Sequence, residues 1–256
     1  MHCDAASRPG GPTNLDRVYV GSTFAVVMDG ASPFRPVPVD TGTYVDVLGG
    51  ALIYRLAHGT MSLAELVGDA IAETADRLNL TTGLSPSAAI AIIRIQDKLI
   101  DTFLLGDCLI TISSGEVMID DRLSRVAADT RRAYHARLKN GYGYDQTHRD
   151  LLRALQEEEA VWRNVAGGYW IAEADPDASH HGREKQYSTT SVSWCVMATD
   201  GAYRPMQQLK IPWDHVVGNT VRILDRCYEL ENDDPDGRQR PRAKPHDDKT
   251  LAVITV

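Results

Sequence analysis

Apolar residues recur along this chain either in short continuous runs or at helical spacing, and the alternation of the two patterns predicts its strands and helices. Short apolar runs typical of strands occupy residues 17–20, 24–28, 88–95, 102–107, 109–113, 116–119, 191–201 and 250–256. Apolar residues at three- and four-residue spacing predict helices over 43–57, 62–78, 124–163 with a break at 140–145, and a region containing 216–230. This order favours an α+β fold with mainly antiparallel strands over a parallel βαβ fold.

Three polar segments separate these elements. Residues 31–42 are too rich in proline for regular structure, and residues 167–190 suggest a strand fragment followed by a polar loop. Residues 231–249 form a charged loop with a basic cluster, Arg238, Arg240, Arg242 and Lys244, for which we expect solvation and flexibility. We also expect residues 1–13 to be flexible.

Composition narrows the possible partners. A hydrophobic content of 43% in 256 residues supports a large core, and a net charge of -8 argues against nucleic acid or an anionic membrane as the main partner. There is no 18-residue apolar run to span a membrane and no apolar leader. The four cysteines form no CxxC pair or disulfide framework. These features predict a cytoplasmic protein.

Acidic residues stand at the ends of several predicted strands: Asp29, Asp107, Asp200 and Asp247. An Asp-Gly pair is commonly a hairpin turn, yet no second strand follows Asp29 or Asp200. Carboxylates gathered at one edge of a sheet are suitable ligands for Mg²⁺ or Mn²⁺. The glycine after Asp29 lacks a Cβ, which lets its carbonyl approach a metal ion closely.

Four motifs in order, "VVMDGAS", "LLGDC", "MATDGAYR" and "HDDKTLAVITV", resemble those of the PPM family, the metal-dependent type-2C serine/threonine phosphatases. The resemblance covers about residues 14–256 and suggests a divergent, bacterial-like member. It implies one phosphatase domain over residues 1–256, folded as an α-β-β-α sandwich of two central, mainly antiparallel sheets flanked by helix pairs. It also implies a metal centre at one end of the sandwich.

The resemblance assigns the central metal ligands. Asp29 matches the acid that bridges two divalent cations, Mn²⁺ or Mg²⁺, and Gly30 matches the residue that offers its carbonyl to one of them. Asp200 and Asp247 match the other two acids. Through the water that these metals hold, Asp29, Asp200 and Asp247 would be the catalytic residues.

Three further acids match positions that assist metal binding. Asp16, in "TNLDR", matches the second acid of an N-terminal element, and Asp107 matches an acid that helps to hold a weaker third metal. Asp248 stands where the family has Asn or Asp.

The chain departs from the family pattern at several positions. Leu15 replaces a glutamate that reaches a metal through water. The family's phosphate-holding arginine aligns with about Gly11, and Arg8 is a distant substitute. Ala31 stands where some members have a histidine proposed as general acid, and it also removes the second acid of the D-x-D pair that haloacid-dehalogenase-like phosphatases need.

Two functions therefore remain open. The first is hydrolysis of phosphomonoesters, on phosphoserine or phosphothreonine of a protein, by a water that bridges two metals. The alternative is a weak or inactive pseudophosphatase that serves as a binding or regulatory module, as the absence of the usual glutamate and arginine suggests. Mutual repulsion among unliganded acids favours the first function.

Overall fold

The computed structural model describes residues 1–33 and 36–256, so positions 34 and 35 of the proline-rich segment lie outside the described residues. The strands are β1 (His2–Arg8), β2 (Arg17–Val20), β3 (Phe24–Gly30), β4 (Ala88–Gln96), β5 (Leu99–Leu105), β6 (Leu109–Ile112), β7 (Val117–Ile119), β8 (Arg183–Ser188), β9 (Trp194–Ala198) and β10 (Lys249–Thr255). The α-helices are α1 (Thr41–His58), α2 (Leu63–Leu78), α3 (Arg122–Arg125), α4 (Ala128–Lys139), α5 (Gln146–Val161), α6 (Asp200–Gln208) and α7 (Thr220–Asn232).

The strands form two five-stranded sheets in which neighbouring strands are antiparallel. Sheet 1 has the order β1-β10-β9-β6-β7, and sheet 2 has the order β2-β3-β4-β5-β8. Both orders require strands that are distant in the chain to pair, as β1 does with β10. No helix within the described residues is long and apolar enough to span a bilayer.

Alternation along the strands places two hydrophobic layers on the two faces of each sheet. In β3, Ala25 and Val27 face sheet 1, whereas Val26 and Met28 pack under α1 and α2. In β10, Ala252 and Ile254 join the layer between the sheets, and Leu251 and Val253 pack under α6 and α7. The result is a helix–sheet–sheet–helix sandwich, which confirms the predicted fold class.

The helices that cover sheet 2 are strongly specified by local sequence. Asp40 caps α1 by accepting a hydrogen bond from the Thr43 amide at 2.9 Å. Ser62 and Glu65 form a capping box at the start of α2, and Asn79 ends α2 in the left-handed conformation. These signals explain why the helices predicted over 43–57 and 62–78 agree with the structure within a few residues.

Flexibility of residues 1–13, predicted from sequence, is not what the structure shows for His2–Arg8. These residues form β1 and pair with β10 along their full length, from His2 opposite Thr255 to Arg8 opposite Lys249. The strand is short of large apolar side chains, and its partner lies at the other end of the chain. Local hydrophobicity therefore gave no signal for it.

The polar loop predicted within residues 167–190 also needs correction. Its last part forms β8, which pairs with β5 from Leu99 opposite Ser188 to Leu104 opposite Arg183. The charged and polar sequence of this strand suits the exposed edge of a sheet, where it discourages pairing with other chains. It therefore lacks the apolar alternation on which a sequence-based assignment depends.

Candidate functional site

A cavity of about 310 Å³ opens at the end of the sandwich where β3 and β9 finish and β10 begins. Four of the predicted aspartates line it: Asp29, Asp107, Asp200 and Asp247. Asp29 belongs to sheet 2, while Asp200 and Asp247 adjoin strands of sheet 1. The structure thus brings these acids together from distant parts of the chain, at the seam between the two sheets.

Asp29 reaches the cavity because it continues the row of β3 residues that faces sheet 1. Ala25 and Val27 are the preceding members of that row, and both are fully buried. Enclosure raises the pKa of Asp29 well above its ordinary value, and the charges of Asp16 and Asp200 raise it further. Such a carboxyl is unlike that of a surface hairpin turn, although an Asp-Gly pair is commonly found in one.

Gly30 sits where the chain is crowded. A Cβ at position 30 would lie 2.7 Å from the carbonyl oxygen of Leu15 and 3.0 Å from the Thr41 side chain. The segment before β2 therefore passes directly beside the end of β3. Glycine at this position allows that approach and keeps the Gly30 backbone on the cavity lining.

Asp200 begins α6 instead of a turn. It follows Thr199 at the end of β9, and its negative charge in the first turn is favourable to the helix dipole. A Cβ at Gly201 would collide with the carbonyl oxygen of Asp248 and lie 3.0 Å from the Cβ of Asp247. Gly201 thus allows the start of α6 to pack against the start of β10, which brings Asp200 towards Asp247.

Asp247 is fixed through both its side chain and its backbone. The Lys244 ammonium donates to Asp247 Oδ1 at 2.7 Å, and the fully buried Lys249 donates to the Asp247 carbonyl at 2.6 Å. Lys249 also pairs with Glu231 Oε2 of α7 at 2.7 Å. The segment before β10 is therefore anchored to α7.

Asp107 lies in the segment that joins β5 of sheet 2 to β6 of sheet 1, and it shares the side chain of Arg204 with Asp200. The Arg204 guanidinium lies 3.6 Å from Asp107 Oδ2 and 3.2 Å from Asp200 Oδ2. Burial, together with the charge of Asp200, raises the pKa of Asp107 to about 6 in spite of Arg204.

The other two predicted acids lie beside the cavity lining. Asp16 Oδ2 accepts a hydrogen bond from the Thr199 hydroxyl at 2.9 Å, whereas its buried Oδ1 has no partner among the described residues. Burial raises the pKa of Asp16 to about 8. Asp248 has a structural task, because its two oxygens accept from the amides of Gly10 at 2.7 Å and Leu15 at 2.8 Å.

The N-terminal segment supplies no side-chain cation to the cavity. Arg8 pairs with Asp225 of α7 and stacks over the ring of Tyr228, 4.1 Å from its centroid. It therefore points to the helix layer of sheet 1. Gly11 has no side chain, and Leu15 presents an aliphatic group where the resemblance implies a glutamate.

Residues 231–249 were expected to form a solvated, flexible loop, but residues 231–232 end α7, residue 249 begins β10, and many polar groups between them are bonded. Arg242 donates to the carbonyls of Glu231 and Asp234 at 2.9 and 2.6 Å, and pairs with the Asp234 carboxylate at 3.2 Å. Asp234 also accepts from the amide of Arg240 at 2.7 Å. The loop is thus stapled to the end of α7 and directs Arg240, Lys244 and Asp247 to the cavity.

Part of the cavity lining is apolar, which could not be predicted from the sequence. Tyr134 of α4 and Leu152 and Leu155 of α5 form a small separate core and also line the cavity. Gln156 of α5 donates to the carbonyl of Ser32 at 2.8 Å, which ties this helix pair to the segment after β3. The helices themselves were predicted, but no sequence signal indicated which part of the sandwich they cover.

The donor set suits divalent cations that prefer oxygen. Four aspartates and the Gly30 backbone line one cavity, burial and neighbouring carboxylates raise the pKa values of Asp29 and Asp107, and a buried oxygen of Asp16 lacks a partner among the described residues. Within residues 1–33 and 36–256, no three His, Cys, Asp or Glu side chains are already gathered as a ligand cluster. Lys244 and Arg204 instead engage the carboxylates of Asp247, Asp200 and Asp107.

No family model and no curated protein matches this chain. Solved structures do match, among them the PPM Ser-Thr phosphatase MsPP from Mycobacterium smegmatis, in complex with cacodylate, at 14% identity and a TM-score of 0.56, with 100% of this chain and 98% of that chain covered. The chain has the PPM phosphatase fold. Serine/threonine phosphatase Stp1 from Staphylococcus aureus matches at 9% identity and a TM-score of 0.57, with 100% and 95% covered.

A third match is the catalytic domain of the serine/threonine protein phosphatase PstP in complex with two manganese ions. It is 16% identical, with a TM-score of 0.54, and the alignment covers 98% of this chain and 96% of that chain. At these identities the likeness is one of fold. The resemblance that the four motifs indicated and the architecture of the molecule therefore agree.

Proposed function

We propose that this protein is a metal-dependent phosphomonoester hydrolase that acts on phosphoserine or phosphothreonine in proteins. The observation that carries the proposal is the convergence of Asp29, Asp107, Asp200 and Asp247 on one cavity in a PPM phosphatase fold. The solved phosphatases of this fold cover nearly the whole chain, which supports a single phosphatase domain over residues 1–256. The cytoplasmic location stays a prediction.

In this proposal Asp29, Asp200, Asp247 and the carbonyl of Gly30 hold two divalent cations, Mn²⁺ or Mg²⁺. The two manganese ions in the PstP complex support that number. Such ions would supply positive charge to the phosphate oxygens and acidify a water molecule for in-line attack. In this proposal Asp107 assists a weaker third ion, and the charge of Asp16 acts on Asp29.

The remaining groups of the chain prepare the site. Arg204 spans Asp200 and Asp107 and limits their mutual repulsion, while Lys249 fixes the backbone of Asp247. Tyr134, Leu152 and Leu155 add apolar surface to the cavity lining, among polar side chains of the same two helices.

The test is release of phosphate from a generic aryl phosphate and from matched phosphoserine, phosphothreonine and phosphotyrosine peptides. We expect turnover with added Mn²⁺, loss of turnover with a chelator, and a preference for the first two peptides. Absence of turnover under all metal conditions, in a folded protein that binds Mn²⁺, would favour the pseudophosphatase alternative.

A further inference from the structure

Besides the metal ions, a cationic side chain on the cavity lining can hold the substrate phosphate. A phosphomonoester carries close to two negative charges at neutral pH. It must enter a cavity already lined by Asp29, Asp107, Asp200 and Asp247. The described residues provide five cationic side chains on the lining: Arg131, Arg204, Arg240, Arg242 and Lys244.

Three of the five are committed to other groups. Arg131 pairs with Glu159 of α5 at 2.7 Å, and Arg204 pairs with Asp200 and Asp107. Arg242 uses its guanidinium to hold the loop to the end of α7. Moving any of them to a phosphate would break contacts that shape the cavity.

Lys244 is placed differently, between the two segments that carry the acids. Its ammonium donates to the hydroxyl of Ser32, three residues after Asp29, at 2.9 Å and to Asp247 Oδ1 at 2.7 Å. An ammonium has three N–H donors, so one remains for a further acceptor. The side chain is 31% exposed and lines the cavity.

We propose that Lys244 binds the phosphate group of the substrate and of the product. The inference rests on the proposed phosphatase function and assigns the phosphate-binding residue of that site. Ser32 and Asp247 hold the ammonium in place before the phosphate arrives, so little side-chain entropy is lost on binding. Arg240 lines the same cavity, but no described acid or acceptor holds its guanidinium, and it contributes less.

The experiment is calorimetric titration of inorganic phosphate into the full chain loaded with Mn²⁺. Lys244→Met keeps the aliphatic stem and removes the charge, and we expect it to weaken phosphate binding about tenfold or more. Lys244→Arg restores a charged donor and should recover part of the affinity. The bound Mn²⁺ count should match that of the wild type, since neither substitution removes a carboxylate.

Two further variants serve as comparisons. Lys139→Met changes an exposed lysine at the end of α4 and should leave phosphate binding unchanged. Arg240→Met should weaken it less than Lys244→Met does. Wild-type phosphate affinity in Lys244→Met would overturn the inference, and tighter Mn²⁺ binding in that variant would show that Lys244 serves only as a counter-ion of the acids.

Turnover separates this inference from the function on which it rests. If the wild type hydrolyses phosphomonoesters but Lys244→Met binds phosphate normally, the phosphatase proposal stands and the assignment of Lys244 is wrong. If phosphate binds through Lys244 but no substrate is hydrolysed, the assignment stands and the hydrolase proposal is wrong. With both correct, Lys244→Met should raise KM for an aryl phosphate more than it lowers kcat.

Discussion

Asp29 is the residue on which most of the site depends. Its neighbours in β3, Ala25 and Val27, are packed between the sheets, so the side chain is held in one direction by a buried strand. Its carboxyl is influenced by the charges of Asp16 and Asp200, as well as by Asp107 and Asp247. A group with so many acidic neighbours is costly without bound cations, and this cost suggests a function for it.

Replacing Asp29 with Asn should separate its chemical role from its structural one. The amide keeps the shape of the side chain but cannot carry the negative charge, so we expect turnover to fall on the order of 10²-fold or more. Without metal, the free energy of unfolding should not decrease, because the substitution relieves repulsion among acids. The measurements are Mn²⁺-dependent hydrolysis and chemical unfolding with chelator present.

The matched control is Asp69→Asn, which changes an exposed aspartate of α2. It should leave turnover unchanged. Wild-type turnover in Asp29→Asn would contradict the role of Asp29 as a metal ligand, on which the phosphatase proposal depends.

Gly201 gives a prediction whose sign opposes ordinary helix propensity. Replacing an interior helical glycine with alanine commonly stabilises a protein by about 0.5–1 kcal/mol. At position 201 the new Cβ would collide with the carbonyl of Asp248, so we expect Gly201→Ala to lower the free energy of unfolding by roughly 1–3 kcal/mol. Mn²⁺ affinity should fall as well, because Asp247 and Asp200 are pushed apart.

Gly50 in α1 is the natural comparison, since nothing lies within 4 Å of a Cβ built there. Gly50→Ala should be neutral or stabilising when both variants are compared by urea unfolding. Equal effects of the two substitutions would show that the start of α6 can move away from β10 without loss.

At the scale of elements, the loop between α7 and β10 behaves as part of the site. Asp234, which is buried, accepts from the amides of Gln239 and Arg240 at 3.0 and 2.7 Å and from the Arg242 guanidinium at 3.2 Å. One carboxylate therefore fixes the turn that carries Lys244 to the cavity.

Asp234→Ala should consequently open the loop. We expect trypsin to cut the native protein after Arg242 roughly tenfold faster or more, because three donors lose a buried acceptor and local opening becomes easier. Asp233→Ala changes the exposed neighbouring residue, whose carboxylate makes no hydrogen bond to the described part of the loop. This variant should be cleaved at a rate near that of the wild type. Similar rates for both variants would contradict the stapling role of Asp234.

The elements that the sequence predicted well are those with strong local periodicity or clear end signals. The helix with the Ser62 and Glu65 capping box and the buried run of β3 are of this kind. The four strand-end aspartates could be predicted because each one directly follows or precedes an apolar strand. β1, β8 and α6 were missed, since β1 and β8 are stabilised by pairing with distant strands and α6 is a short helix containing Pro205.

The same distinction applies to the site. Asp29, Asp200 and Asp247 could be predicted from their positions in the sequence, whereas Lys244 and Arg204 could not. Lys244 lies in a run of charges that resembles a solvated loop, and only the hydrogen bonds of Asp234 and Arg242 show that the loop is ordered. Which cations neutralise which acids depends on tertiary contacts that no local pattern encodes.

For the whole molecule, the cavity lies where the two sheets meet. Sheet 2 contributes Asp29 through β3, and sheet 1 contributes Asp200 and Asp247 at the ends of β9 and β10. Between the sheets lies an apolar layer that includes Val27, Met197 and Ala252. Cations held by acids from both sides would therefore add a polar connection at one edge of an otherwise hydrophobic interface.

Mn²⁺ should accordingly stabilise the folded protein, and carboxylates from both sheets should be needed for this effect. At a concentration 100 times the dissociation constant, one bound ion adds about 2.7 kcal/mol to the free energy of unfolding. For a chain of this size that corresponds to a rise in Tm of roughly 5–10 °C. Asp29→Asn and Asp200→Asn should each lose most of the rise, although they change acids of different sheets. Asp69→Asn should keep it. The measurement is thermal unfolding of all four proteins with Mn²⁺ and with chelator. If either site variant kept the full rise, the ions would be held by one sheet alone and would not connect the two halves of the sandwich.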